Sequence, residues 1–176
     1  AELEAIKAEE QAIPIRIQQE SLGRGRTAEG IAPLQSAALR NLALRAIPIQ
    51  VRAAATQAEV FSAQGDVELA QGALKIASDR LSTLFDIKKK DATNTYNYWK
   101  DLRDKVFGFA TEREKNKLAA HQKEDDRKFE LMKDNINNAQ ALATKLMENG
   151  QADLAARVAQ LDPKSATFIQ DLANLQ

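Results

Sequence analysis

Gly108-Phe-Ala-Thr-Glu-Arg-Glu114 lies between two long stretches without proline and reads as the bend of a helical hairpin. Thr111 and Glu114 have the spacing of a capping box, in which each residue satisfies a backbone or side-chain donor of the other at a helix start. Upstream, 42 residues separate Gly65 from Gly108; downstream, 41 separate Gly108 from Gly150. Glycine commonly stands just past a helix end. The three glycines therefore outline two antiparallel helices, at about 66–107 and 112–149. At ~1.5 Å rise per residue each arm is roughly 60 Å long. A compact domain of this size does not need that length, so the arm is expected to be the working part.

The chain has 176 residues, with 25 acidic and 25 basic side chains, and a formal net charge of zero. The balance is also local: residues 1–60 carry seven of each sign, and residues 111–149 carry eight of each. A nucleic-acid surface needs a basic excess to displace counterions, so specific nucleic-acid binding is not expected. The absence of cysteine excludes disulfides and thiolate metal sites. No apolar run approaches the ~20 residues of a membrane-spanning helix. A chain that begins on alanine is expected to be processed or to be an excerpt, so the missing signal peptide carries no weight. Aromatic residues make up only 5% of this alanine-rich chain, which suits close-packed helices better than a thick globular core.

Outside the hairpin the pattern stays helical. Residues 2–20 carry Leu3, Ile6, Ile13 and Ile17 near helical spacing, with a kink or break expected at Pro14. Ser21-Leu-Gly-Arg-Gly-Arg-Thr-Ala-Glu-Gly30 reads as a connector. A second helix follows over about 31–64, opened by Pro33 and bent at Pro48. Ala12-Ile-Pro-Ile-Arg-Ile17 matches Ala46-Ile-Pro-Ile-Gln-Val51 at a 34-residue offset, the length of a tetratricopeptide repeat. The flanks do not repeat, and two independently kinked helices give the same pattern.

In the third helix, Val67, Ala70, Leu74, Ala77, Leu81 and Leu84 form a coiled-coil-like seam. The seam fails at Lys88-Lys-Lys-Asp91 and resumes in a shifted frame with Ala92, Tyr96, Trp99, Leu102, Val106 and Phe109. Such a shift is a stutter in one helix, or else a turn at Asp91-Ala-Thr-Asn-Thr95. With no glycine or proline there, the continuous helix is the preferred reading. Folding near residue 110 then sets Ala77 against Leu142, Leu74 against Leu146 and Trp99 near Ala120. After Gly150, one short helix covers Ala152–Leu161 and a last one runs from Pro163 through Leu175. The expected architecture is all-α and elongated, in three parts. Residues 1–30 form an N-terminal helix and linker, 31–150 the hairpin unit with its Pro-kinked helix, and 151–176 a short C-terminal helical pair.

Candidate sites are few. Tyr96, Tyr98, Trp99, Phe107 and Phe109 place five of the nine aromatic residues within 14 positions near the bend. Aromatic side chains anchor interfaces, and a two-helix arm cannot bury all five. They are either a partner surface or a local mini-core at the tip. On the second helix, Leu39, Leu42, Leu44, Ile47, Ile49 and Val51 are apolar on several sides, more than one hairpin covers; Leu39, Leu44, Ile47 and Ile49 are taken as a second contact surface. Lys88–Lys90 is expected to pair with Glu124-Asp-Asp126 on the returning arm and to fix register there. Gly72, inside the third helix, marks a close crossing with the second helix or with a neighbouring subunit. Gly23-Arg-Gly-Arg-Thr27 has no preceding strand and so is not a phosphate loop. His121 is the only histidine and lacks the converging partners that metal binding or general-base work needs. No catalytic residue, cofactor, metal or small-molecule substrate is expected.

The Ala-Ile-Pro-Ile segment, Ala63-Gln-Gly-Asp-Val-Glu-Leu-Ala70, the Thr111–Glu114 cap and Asn149-Gly-Gln-Ala-Asp-Leu154 together resemble long-helix proteins of phages and metagenomic viruses. The likeness covers most of the chain, rests on helix punctuation, and implies a virion or assembly component without transferring any functional residue. Gly65-Asp-Val-Glu-Leu-Ala70 with Leu74 and Ala77 also resembles half of a tetratricopeptide repeat, but the following helix is far too long. Arg52–Leu84 resembles the helical hairpins of tripartite efflux and secretion proteins, without their lipoyl-like β-domain. The function expected is that of a structural subunit. It would assemble with its own copies and other structural proteins into a particle such as a phage tail or neck, in a virion or extracellular assembly. The alternative is a binding module, adaptor or chaperone-like, that grips a partner with the aromatic tip.

Overall fold

The computed structural model describes residues 2–24 and 28–175. Six helices are present among them and no strand: α1 (Glu2–Leu22), α2 (Ala28–Ala63), α3 (Val67–Phe107), α4 (Glu112–Glu148), α5 (Ala152–Gln160) and α6 (Phe168–Ala173). The all-α, elongated reading holds, and α3 is one continuous helix through residues 88–95. Gly25, Arg26 and Thr27 of the expected connector lie outside the described residues.

Two of the three outlining glycines act as the sequence implies. Gly65 and Gly150 have φ of 80° and 73°, the left-handed region that a Cβ disfavours. Each closes a Schellman motif. The Asp66 N–H reaches back to the Phe61 carbonyl (2.9 Å), and the Gln151 N–H to that of Leu146 (2.7 Å). Asp66 then caps α3, its Oδ1 accepting from the Leu69 N–H at 3.1 Å. Gly108 is different: its φ of −62° is ordinary right-handed backbone. The bend is instead fixed on its far side, where Glu114 Oε2 accepts from the Thr111 N–H (2.8 Å) and hydroxyl (2.7 Å). These bonds, the hydroxyl's first, hold the Glu114 carboxyl below its ordinary pKa.

The core lies at the base, where α3 is flanked by α2, α4 and α5. Ala77, Leu81, Leu84 and Phe85 of α3 cluster with Ile47, Val51 and Ala54 of α2, Ile136, Ala139 and Ala143 of α4, and Ala155, Ala156, Val158 and Ala159 of α5. Ala77, Ala143, Ala155 and Ala159 have no exposed surface at all, so small side chains let the helices approach closely. The buried stripe of α3 takes in Ala73 and Phe85, whereas Val67 and Leu74 of the expected seam face outward. Partners on two sides widen the stripe beyond a single coiled-coil edge. The tighter antiparallel partner of α3 is α2 rather than α4, and Arg40 pairs with Asp91 at 2.9 Å along it. Neither Pro14 nor Pro48 breaks its helix. Pro48 is fully buried, and the Pro14 carbonyl accepts from Gln35 Nε2 at 3.2 Å. Arg45 binds Glu9 through both carboxylate oxygens, at 2.7 and 2.8 Å, and helps fasten α1 along α2.

Three expectations need correction. The cross-helix pairs of α3 lie about three to ten residues further along α4 than folding at residue 110 gives, because the base core and the Tyr96–Phe129 stack set the register rather than the bend. Gly72 marks no crossing within the chain: a Cβ there would meet nothing within 4 Å. The last helix is shorter than expected, since Asp162 Oδ1 takes the Lys164 N–H (2.9 Å) and Ser165 Oγ the Thr167 N–H (3.2 Å). Such local bonds compete with helix formation.

The glycines yield a direct test by chemical denaturation. Gly65→Ala and Gly150→Ala are each expected to cost about 1–2 kcal/mol for the left-handed backbone. Gly108→Ala is expected to cost nothing, and Gly72→Ala to stabilise the monomer by about 1 kcal/mol. Equal losses at positions 65, 108 and 150 would contradict this reading of the bend.

Candidate interaction surface

Beyond Ala92, α3 buries no residue, and before Asn135 α4 buries none. The distal arm is therefore a two-helix strut with few ties. The Tyr96 ring stacks on Phe129, centroids 4.2 Å apart, and its hydroxyl donates to Asp126 Oδ1 at 2.5 Å. That hydrogen bond, with lesser help from burial, holds the phenol above its ordinary pKa. Arg103 pairs with Asp125 at 2.5 Å. Lys115 lies 5.6 Å from the centre of the Phe107 ring.

The aromatic cluster does not close into a mini-core. Only Tyr96 is half-buried. Tyr98 and Trp99, in edge-to-face contact at 5.4 Å, are more than half exposed, Phe107 is partly exposed, and Phe109 is 95% exposed. Leu102 and Val106 stand outward with them. Trp99, Leu102 and Val106 recur at helical spacing and so share one face of α3, and Phe109 follows in the turn beyond Phe107. The sequence pattern had placed this same row in a seam against α4.

A groove of about 650 Å³ adjoins the row, between the arm and residues 163–169. Trp99, Phe129, Leu131, Met132, Phe168 and Ile169 give it largely apolar walls. Phe168 is fixed in the core, and Asn135 Nδ2 donates to the Pro163 carbonyl at 2.9 Å, so the C-terminal wall is held against α4. Leu131 and Ile169 remain more than half exposed at its margin. Sequence reading missed this wall because the last helix, taken as starting at Pro163, left no turn there.

The second-helix residues divide. Leu39 is exposed, while Leu44 and Ile49 are half-buried. Ile47 is only 4% exposed and belongs to the core. As a contact residue for other molecules Ile47 is therefore corrected: α2 lies among α1, α3 and α5, which cover sides that one hairpin would leave open.

The lysine triplet does not pair with Glu124–Asp126. Lys88 Nζ donates to the carbonyls of Ala159 (2.5 Å) and Leu161 (2.9 Å) at the end of α5, and Lys89 Nζ donates to Gln140 Oε1 at 2.6 Å. Asp125 and Asp126 are taken by Arg103 and Tyr96, and Glu124 by Lys128 at 2.6 Å. The shifted register and the nearby end of α5 redirect the lysines. His121 is exposed, and among the described residues no group of His, Asp or Glu could hold a metal ion.

Comparison with protein-family models, with curated proteins and with solved structures found no match.

Burial lowers the Lys88 pKa to about 8, against a smaller upward pull from Asp162. Because the folded value lies below the unfolded one, the unfolded chain binds more protons between about pH 8 and 10.5. Stability from this group is thus expected to rise with pH across that window, by at most about 1.4 kcal/mol per pH unit. Denaturant titrations of wild type and Lys88→Met should diverge there, with the wild type gaining. Parallel pH profiles would refute the assignment.

Proposed function

We propose that this chain is a structural subunit that associates with copies of itself by packing its distal arm. The supporting observation is the row Trp99, Leu102, Val106 and Phe109, left in solvent beside an apolar groove. Soluble monomers rarely keep a contiguous apolar patch of more than a few hundred Å² exposed.

Magnitudes favour a symmetric contact. Fully burying a large apolar side chain contributes about 1.5–3 kcal/mol, and less when it is already half covered. Association costs about 4–15 kcal/mol in lost freedom. Four such residues from one copy barely offset that cost, whereas four from each of two copies exceed its lower range. The charge balance along the chain leaves little electrostatic repulsion between copies.

The resemblance to long-helix phage proteins directs this reading toward a virion component such as a tail or neck piece, working with other structural proteins. A second reading rests on the aromatic content of the tip, with Tyr98 set edge-on to Trp99. That composition also suits an adaptor or chaperone-like module that grips a different protein.

Light scattering coupled to size exclusion separates the two. At micromolar concentration the pure protein is expected to be oligomeric. Trp99→Ala combined with Leu102→Glu should dissociate it without loss of helical circular dichroism, because both side chains stand outside the base core of the single chain. A monodisperse wild-type monomer would sink the assembly reading and leave the binding module.

A further inference from the structure

We propose that Asn149–Gly150, in the turn between α4 and α5, is a self-modification site. The Gly150 amide nitrogen closes on the Asn149 side chain, and the asparagine is converted to aspartate or isoaspartate. The reaction needs no partner and so stands apart from self-assembly.

The chemistry requires an asparagine followed by an unhindered amide. Of nine asparagines, Asn149 alone precedes glycine. The others precede side chains that crowd the attacking nitrogen. All of those but Asn174 lie inside α2, α3 or α4, where backbone N–H groups are held in the helical ladder. Asn149 instead caps α4, and both it and Gly150 are exposed. A hollow of about 210 Å³, with Arg52, Thr56 and Gln151 in its walls, adjoins Gly150. A Cβ built on Gly150 would meet nothing within 4 Å, so the attacking nitrogen has open space beside it.

Water is the one co-reactant. The Gly150 nitrogen forms a bond to Asn149 Cγ and gives up its proton. The Cγ–Nδ2 bond breaks, and Nδ2 leaves as ammonia with that proton. The product is a cyclic succinimide, which water then opens. Opening between Cγ and the nitrogen gives aspartate. Opening between the Asn149 backbone carbonyl and the nitrogen gives isoaspartate, with the main chain rerouted through Cβ.

The folded turn restrains this reaction. The Gly150 N–H donates to the Met147 carbonyl at 3.0 Å, and the Gln151 N–H to that of Leu146 at 2.7 Å. Asn149 has a ψ of 7°, which turns the Gly150 nitrogen away from its side chain. Ring closure therefore requires the end of α4 to open, and such local openings cost less than global unfolding.

Either product weakens the turn that restrained it. A carboxylate at residue 149 stands at the negative end of the α4 dipole, next to Glu148. Isoaspartate also adds a carbon to the main chain between Asn149 and Gly150, so the closing bonds of the Schellman motif lose their register. Helix α5 begins at Ala152 and buries Ala155, Ala156, Val158 and Ala159. Its docking follows directly from this turn.

The test holds wild-type protein in mildly alkaline buffer, with and without urea. Peptide mapping follows aspartate and isoaspartate at every asparagine. Asn149 is expected to react first in both conditions. The native chain should react at least about tenfold more slowly than the unfolded one, an opening cost of roughly 1.4 kcal/mol or more. Asn149→Gln, whose longer side chain closes the ring poorly, should stay unmodified at that position. Hydrogen exchange then compares the isoaspartate form, separated by ion exchange, with fresh protein. Amides of α5 should exchange faster in it, and those of α1 should not change. A different asparagine reacting first in native buffer would overturn the site. So would an Asn149 that stays intact in native buffer through prolonged incubation. Equal rates with and without urea would overturn the restraint by the turn, and unchanged exchange in α5 its structural consequence.

Discussion

Close approach of alanine faces at the base governs the rest of this molecule. Ala77, Ala143, Ala155 and Ala159 are wholly buried where α3, α4 and α5 come together. Leu81, Leu84, Phe85 and Ile136 fill the space around them. This cluster sets the register of α3 on α4 and brings the end of α5 to Lys88, whose ammonium takes two of its last carbonyls. Such a lysine satisfies acceptors that a helix end leaves open, at the cost of its own desolvation. The same core anchors Phe168, and through it the wall of the groove. The exposed apolar face and groove are thus placed by packing some distance away.

Much of this was legible in the sequence, for local reasons. Helix stops at Gly65 and Gly150, the Thr111–Glu114 cap and the long proline-free arms depend on neighbours a few residues apart. Uninterrupted α3 followed from the absence of a breaker between residues 88 and 95. What escaped was relational. Trp99, Leu102, Val106 and Phe109 carry the spacing of a buried seam, yet stand in solvent, because periodicity reports a shared face and not what covers it. Ile47 erred in the opposite direction: its neighbours are apolar all round, and the chain itself supplies the cover through α3 and its other partners. Lys88 looked like a member of a charge run, and only the position of α5 makes it a carbonyl ligand. The Gly23–Thr27 stretch was identified as a connector, but residues 25–27 lie outside those described.

The contrast between base and arm has an energetic meaning. At the base α3 has apolar partners on several sides; beyond Ala92 it has none that bury it fully. The arm's ties there include a stacked ring pair, one phenol–carboxylate bond, one Arg–Asp pair and the Lys115–Phe107 contact. Exposed or half-exposed ties of this kind contribute about 1 kcal/mol or less each. Most helical stability in proteins comes from packing of an apolar face rather than from intrinsic propensity. The distal helices therefore have the local composition of a low-stability element, one that opens more readily than the base.

Under the self-assembly proposal, that marginal stability would link shape to assembly. A partner that binds the ordered arm and not its frayed form stabilises it by mass action. Covering Trp99, Leu102, Val106 and Phe109 gives α3 beyond Ala92 the apolar contact it lacks in the single chain. Ordering the arm and burying its face then become one event, and the ordering cost is subtracted from affinity. Within the groove the Arg103–Asp125 pair is already formed in the single chain, so covering it does not separate two charges. An arm that is stable at its root and under-packed toward its end can couple its own folding to the arrival of a second copy.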